Sequence, residues 1–200
     1  MVENFRKLHS YLCWLINDII IEVMATLQDY RDERLRKLAE LRELGVNPYP
    51  ATSHRTHTTH DITARFDELQ GQTVTVVGRI MGIRKFGKLA FIVLRDQSGQ
   101  VQLFFHAPDV AETDGPQGII GMKQLSLLDT GDFVEATGDV IKTQTGEISV
   151  GVKMLKLLTK SLRPLPTELT DKEQRLRRRY VDMNVNVDVR ERFVRRSKFW

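Results

Sequence analysis

Apolar and polar positions alternate most clearly between Gly78 and Phe105, in GRIMGIRKFGKLAFIVLRDQSGQVQLFF. The pattern predicts three β-strands joined by two tight turns, Lys85-Phe86-Gly87-Lys88 and Asp96-Gln97-Ser98-Gly99, each with a glycine suited to positive φ. Leu89 to Leu94 is almost unbroken apolar sequence, and a period of two divides it. Ala90, Ile92 and Leu94 share one face; Phe91, Val93 and Arg95 share the other. The next strand divides the same way, with Val101, Leu103 and Phe105 on one side and Gln100, Gln102 and Phe104 on the other. A face that sets Phe91 and Arg95 beside Gln102 makes a poor core. It suits an unstacked nucleobase: a ring to stack on, an amide to hydrogen-bond, cations for phosphate. Pattern alone allows Phe91 equally well as an ordinary core residue.

The other periodicities set out the rest of the chain. Thr26 to Leu44 is helical, with Leu27, Leu35, Leu38 and Leu41 on one stripe and a stop at Gly45 and Pro48. Its basic positions, Arg31, Arg34, Arg36 and Lys37, read first as a solvated face and second as a surface touching RNA. A short helix is expected over Ile62 to Leu69 with Asp61 as N-cap. Thr73 to Ile83 is the first long strand, where Gly78 and Gly82 allow a bend. Ala107 to Gly121, rich in Pro, Gly and Asp, leads into a helical piece near Met122 to Leu128. Asp132 to Lys142 and Glu147 to Leu158 then flank the turn Thr143-Gln144-Thr145-Gly146 as a long hairpin. The fold class is therefore mainly β, a five-stranded OB-fold barrel with an N-terminal amphipathic helix and a helical insert between strands 3 and 4. Such barrels bind single-stranded nucleic acid across their second and third strands. A five-stranded SH3-like barrel is the structural competitor.

Composition narrows the function. The chain has 200 residues, 41% of them hydrophobic, and a net charge of +4. Asp171 to Trp200 alone carries +5, so the remainder is nearly neutral and any nucleic-acid contact must come from local clusters. One cluster lies in the organising stretch, where Arg79, Arg84, Lys85, Lys88 and Arg95 accompany a single acid, Asp96. The lone Cys13 excludes an internal disulfide and a multi-cysteine metal site, which fits a reducing cytoplasm. His54, His57 and His60 recur at a spacing of three, a weak zinc signal beside a solvated loop, and no metal site is expected. Residues 1–23 differ in character from the rest of the chain. Tyr11 to Ile21 is apolar after Arg6 and Lys7, but Asn17 and Asp18 interrupt it and it is too short to span a bilayer, so no membrane association is expected. Met24 opens the regular pattern, and residues 1–23 read as an extension translated from an upstream start.

The stretch from Gly78 to Phe105, then TGDVIKTQTGEISVGVKMLKLLTKSLRPLP, then RLRRRYVDMNVNVDVRERFVRRSKFW, together resemble the N-terminal half of bacterial-type lysyl-tRNA synthetase, a class II enzyme. The resemblance runs from Met24 to Trp200. The aspartyl and asparaginyl enzymes share the barrel, whereas the GEISV hairpin, SLRPLP and RRRYVDM resemble the lysyl type. It implies four regions: the extension 1–23, a helical arm 24–70, an anticodon-binding OB-fold 71–160, and a linker with the start of the catalytic domain over 161–200. It further implies that the barrel grips the anticodon loop of lysine tRNA. In that likeness Phe91 stacks on the central uridine, Gln102 reads the same base, Glu147 contacts an anticodon base and Arg84 closes the end of the first strand. An exposed Phe91 is thus the reading that the resemblance favours.

The chain departs from the family where catalysis is concerned. The arginine-bearing motif 2, the glycine-rich motif 3 and any acidic cluster for magnesium are missing from the sequence. The family's full-length members use ATP and Mg²⁺; no cofactor is expected for this chain, and no catalytic residue is assigned. Its sequence stops at Arg195-Arg196-Ser197-Lys198-Phe199-Trp200, within the helix that opens motif 1. The expectation is a tRNA-binding module without aminoacylation activity of its own. The alternatives are a freestanding RNA-binding protein, or a subunit that forms a homodimer or joins a separate catalytic chain. The basic run Arg175 to Arg179 reads as a solvated linker before it reads as an RNA contact.

Overall fold

The computed structural model describes residues 26–166 and 168–200; the extension 1–23, with Cys13, lies outside the described residues. These residues fall into two compact units, one ending at Arg163 and one spanning Pro164–Trp200.

The first unit opens with helix α1 (Leu27–Glu43). Thr26 caps it in a reciprocal box with Asp29, whose acid also suits the positive end of the helix dipole. The buried face is Arg34, Leu38 and Leu41, whereas Leu27 is exposed, so the predicted leucine stripe starts about two turns too early. Arg34 is a structural residue rather than part of a basic surface. Its guanidinium donates to the carbonyl oxygens of Thr130 and Ser161, both at 3.0 Å. Two short helices come next, α2 (Thr59–Ala64) and α3 (Phe66–Leu69), in place of one helix over 62–69. Thr58 is the N-cap of α2, and Asp61 sits three residues on as its capping-box partner rather than as the cap.

Five strands make up the sheet: β1 (Thr73–Phe86), β2 (Leu89–Arg95), β3 (Gln100–His106), β4 (Phe133–Lys142) and β5 (Ile148–Thr159). Their order is β1-β2-β3-β5-β4, and β4 pairs back onto β1, so the sheet closes on itself. All neighbours are antiparallel except β3 and β5. Between β3 and β4 a single 3₁₀ segment (Lys123–Leu127) buries Leu125 and Leu127. The mainly β, five-stranded character read from the sequence is what the chain adopts.

The core is the inner face of this ring. Ala90, Ile92, Leu94, Leu103 and Phe105 are fully buried and Val101 nearly so, in the alternation the sequence predicts. Gly78 allows β1 to lie close to β2, since a Cβ there would stand 2.7 Å from the carbonyl oxygen of Arg95. Gly87 adopts the positive φ (58°) that the two-residue turn between β1 and β2 needs. Gly99 does not. Its turn is instead built by Asp96, whose Oδ1 accepts from the backbone N–H groups of Ser98 (2.6 Å) and Gly99 (3.0 Å).

A buried ionic network ties α1 to the strand ends. The Lys160 ammonium, with no exposed side-chain surface, donates to Asp132 (2.8 Å), Asp129 (2.6 Å) and the carbonyl oxygen of Leu127 (2.7 Å). Lys37 reaches Asp129 from the helix at 2.6 Å. Burial alone would raise the Asp129 carboxyl, but Lys160 and Lys37 outweigh it and hold the group below its ordinary value.

The second unit contains α4 (Lys172–Arg177), α5 (Arg179–Val185) and α6 (Val187–Phe199). Part of the basic run is committed inside it. Arg175 and Arg179 each bond the buried Asp182 carboxylate at 2.9 Å, and Asn186 donates to it at 2.7 Å, which corrects the picture of a wholly solvated run. Asn186 is the leading cause of the lowered Asp182 carboxyl, with the two arginines adding to it.

Candidate nucleic-acid interface

The site grows out of a β-bulge. On β1, Ile80 pairs with Leu94 and Gly82 with Val93, so Met81 is an extra residue without a partner in β2. Strict alternation would send Arg84 to the same side as Ile80, into the core. The bulge reverses the parity. Ile80 and Ile83 both serve the core, while Arg79, Gly82, Arg84 and Phe86 share the outer parity.

Strand pairing then lays the outer side chains in ranks across the sheet. Arg84 stands opposite Phe91, and Phe91 opposite Phe104. In the next rank Gly82 meets Val93, Val93 meets Gln102, and Gln102 meets Ser149 of β5. In the third, Gln100 meets Arg95, Arg95 meets Arg79, and Arg79 meets Phe133.

Phe91 is therefore an outward-facing ring, half-buried among its neighbours, and the reading of it as an ordinary core residue is set aside. Its centroid lies 5.4 Å from that of Phe104 and 6.2 Å from that of Phe86, the latter edge-on. Phe86 is 61% exposed, at the tip of the turn. With Met81, Gly82, Arg84 and Val93, Phe91 lines an open depression of about 210 Å³. The missing Cβ at Gly82 leaves room beside the ring, because nothing lies within 4 Å of where that Cβ would be.

Gln102 is held in place. Its Nε2 donates to Ser149 Oγ at 3.1 Å, and that hydroxyl in turn reaches the carbonyl oxygen of Glu147 at 3.4 Å. Glu147 is exposed and immediately precedes β5, where the turn Thr143–Gly146 delivers it; its backbone N–H donates to Thr143 Oγ1 at 3.1 Å. The structure thus brings Arg84, Phe91 and Gln102 onto one sheet face, with Glu147 joined to it through Ser149. Sequence reading left Phe86, Phe104 and Ser149 out of the candidate site. Alternation already placed Phe104 on the face of Gln102. Ser149 carried no signal, because the parallel pairing of β3 with β5 joins segments far apart in sequence.

The five cations of this stretch do not act together. Lys85 falls on the inner parity; burial lowers its ammonium pKa, and the charge of Lys37 adds to the effect. Arg84 and Lys88 are exposed, and Arg79 and Arg95 face each other. His54, His57 and His60 are also separately engaged. The backbone N–H of His54 donates to Glu135 Oε2 (2.6 Å), the His57 ring bonds Thr56 Oγ1 (2.9 Å), and the His60 N–H meets Ser98 Oγ (3.2 Å). Among the described residues no group of three His, Cys, Asp or Glu side chains is placed to hold a metal ion, and no helix is long and apolar enough to cross a membrane.

An aromatic, amide and guanidinium arrangement on the outer face of such a sheet is chemically suited to single-stranded nucleic acid. Comparison with known proteins agrees with this geometry. The family model of the OB-fold nucleic acid binding domain, of the tRNA anticodon type, matches residues 74–158. Curated relatives are similar over most of the chain. The lysine–tRNA ligase of Carboxydothermus hydrogenoformans is 44% identical over 168 residues, 82% of this chain and 33% of its own length. That of Moorella thermoacetica is 45% identical over 168 residues, with the same coverage. That of Clostridium acetobutylicum is 41% identical over 177 residues, 86% of this chain and 33% of its own. The chain spans about a third of the length of the curated relatives it matches.

Proposed function

Because the chain belongs to the lysine–tRNA ligase family through its OB-fold anticodon-binding region, we propose that it binds tRNA by reading the anticodon loop of lysine tRNA. Phe91 is the stacking platform for the central uridine, Gln102 reads that base's edge, Arg84 supplies charge at the mouth of the depression, and Glu147 contacts a neighbouring anticodon base. The observation that carries this reading is the outward Phe91 ring, framed by Arg84 and Phe104 within a rank of the sheet. A ring of this kind stacks on any base; the amide of Gln102, oriented by Ser149, supplies the discrimination. The closed ring of strands is read as the OB barrel, with α1 as an N-terminal arm and the 3₁₀ segment as the insert between the third and fourth strands.

The same reading makes the chain catalytically incompetent by itself. Adenylate formation needs cations held against the ATP phosphates, and the sequence carries neither motif 2 nor motif 3 to supply them. ATP and Mg²⁺ thus belong to the full-length family, and the chain works in the cytoplasm as a tRNA-binding module, alone or as a homodimer, or beside a catalytic chain.

The test is binding of the purified chain to the lysine anticodon stem-loop and to one altered at the central uridine, with Phe91→Ala and Gln102→Ala alongside. Preference for the lysine loop, erased by both substitutions, is the expected result. Equal binding to both loops overturns anticodon reading. Pyrophosphate exchange driven by lysine and ATP with this chain alone overturns the claim of incompetence.

A further inference from the structure

We propose that the groove opening where β3 and β5 diverge is a docking site for a protein partner, which enters it with a short segment carrying a bulky apolar residue beside a lysine or arginine.

The groove follows from the way the ring closes. The pairing of β3 with β5 is short, running from Gln102 opposite Ser149 to Phe104 opposite Gly151. The chain leaving β3 then crosses to β5, where the Ala111 N–H donates to the carbonyl oxygen of Lys153 at 2.8 Å. This crossing segment and the strand ends line a space of about 710 Å³, within the roughly 300–1,000 Å³ of ordinary ligand clefts. Its apolar lining comes from Phe104, Val110, Ile141 and Met154, and Gly151 adds no side chain. Met154 is 38% exposed, although it is a large apolar residue. A flexible thioether on an open wall adapts to apolar anchors of different shapes.

Charge decides which kind of partner fits. The charged lining is one ammonium, Lys153, and two carboxylates, Asp109 and Asp139, with His106 beside them. With histidine counted neutral at pH 7, this lining is net negative. Such a surface repels a nucleic-acid backbone. The depression at Phe91 is the contrast, since the charged residue in its lining is Arg84. The two acids of the groove are not equivalent. Asp139 is committed to Lys153 Nζ and Thr73 Oγ1, both at 2.6 Å. Asp109 Oδ2 bonds the His106 ring at 2.8 Å, yet its side chain stays 65% exposed. A carboxylate accepts at both oxygens, so Asp109 can receive a partner's ammonium or guanidinium and keep His106. An apolar anchor over Met154 and Ile141, with a cation at Asp109, complements both features. The ion pairs that hold the rim are formed before any partner arrives, which lowers the ordering cost of binding.

The experiment selects binders from a displayed library of random peptides on the purified chain. Affinity of the winners is then measured for the parent, Asp109→Lys and Met154→Thr, with thermal unfolding as a check on folding. Winners are expected to carry a bulky apolar residue next to Lys or Arg. They should bind Asp109→Lys at least about tenfold more weakly, the loss of one charged hydrogen bond, and lose affinity for Met154→Thr as well. Their binding should move the backbone amide resonances of Gly151 and Lys153. Met154→Thr should hold the lysine anticodon stem-loop as tightly as the parent does. A library without a winner, winners rich in acidic residues, or winners that hold Asp109→Lys as tightly as the parent overturn the proposal. If the stem-loop itself moves the Gly151 and Lys153 resonances and binds Met154→Thr more weakly, the groove belongs to the RNA and the proposal falls while anticodon reading stands.

Discussion

Gln102 Nε2 donates to Ser149 Oγ at 3.1 Å, across the parallel pairing of β3 and β5. The bond fixes which way the amide presents its oxygen to the outer face. Ser149→Ala should therefore reduce discrimination between the lysine stem-loop and one altered at the central uridine, by about 0.5–1.5 kcal/mol, the net worth of one hydrogen bond. Affinity for the altered loop should stay unchanged, because Phe91 and the cations are untouched. A competition binding assay with the two loops checks it. Loss of affinity for both loops in equal measure would mean that Ser149 serves the fold rather than the reading of a base.

The bulge at Met81 has a sharper consequence. Deleting Met81 sets Gly82 directly after Ile80, so a regular ladder keeps Gly82 opposite Val93, Ile83 on the core side and Arg84 on the outer side. The deletion variant should therefore fold with a loss of about 0.5–3 kcal/mol, the ordinary range of a single change. Urea unfolding measures it. A loss above about 4 kcal/mol would show that the bulge itself holds β1 in register.

Lys160→Met should cost about 3–5 kcal/mol, because it leaves the Asp132 carboxylate buried without its cation. Adding Asp132→Asn removes that stranded charge while keeping an acceptor for the Ser161 N–H, now at 2.8 Å. The double variant should recover part of the loss. Chemical unfolding of the two variants decides it, and a double variant weaker than the single would contradict the assignment.

Acid should loosen the first unit at the β2–β3 turn. Burial pushes the Asp96 carboxyl up, but hydrogen bonds from Thr59 and Ser98 prevail and hold it near 2. A carboxyl whose folded pKa lies below its unfolded value near 3.8 contributes stability above that value and loses it as pH falls toward 2. Asp96 also accepts from the Thr59 N–H and hydroxyl at the start of α2, so that helix should detach with it. Thermal midpoints of the parent should fall between about pH 4 and about 2. Asp96→Ala should be less stable at pH 7 and show a flatter decline. Parallel curves for the two proteins would show that Asp96 is not the group responsible.

Much of this was legible in one dimension. A period of two assigned Ala90, Ile92, Leu94, Leu103 and Phe105 to the core and Phe91 and Gln102 to the other face, and each lies there. Alternation is decided locally, because neighbouring side chains of a strand must point to opposite sides. Turn chemistry was legible at Gly87 and misread at Gly99, where an aspartate rather than a left-handed glycine makes the bend. Helix α1 was placed within a residue of its ends, yet its buried face was displaced, because the sequence does not reveal that Arg34 finds carbonyl oxygens near the ends of β4 and β5.

By itself, the sequence determined the strands, their inner and outer faces and the residue types available for stacking and hydrogen bonding. Tertiary structure alone decided which of those residues meet. The bulge that carries Arg84 outward, the parallel pairing that sets Ser149 beneath Gln102, and the opposition of Arg79 to Arg95 all depend on register between separate segments. Register is settled by how the whole ring closes and fills its core. Local propensity says which way a side chain points, and only closure says what it faces.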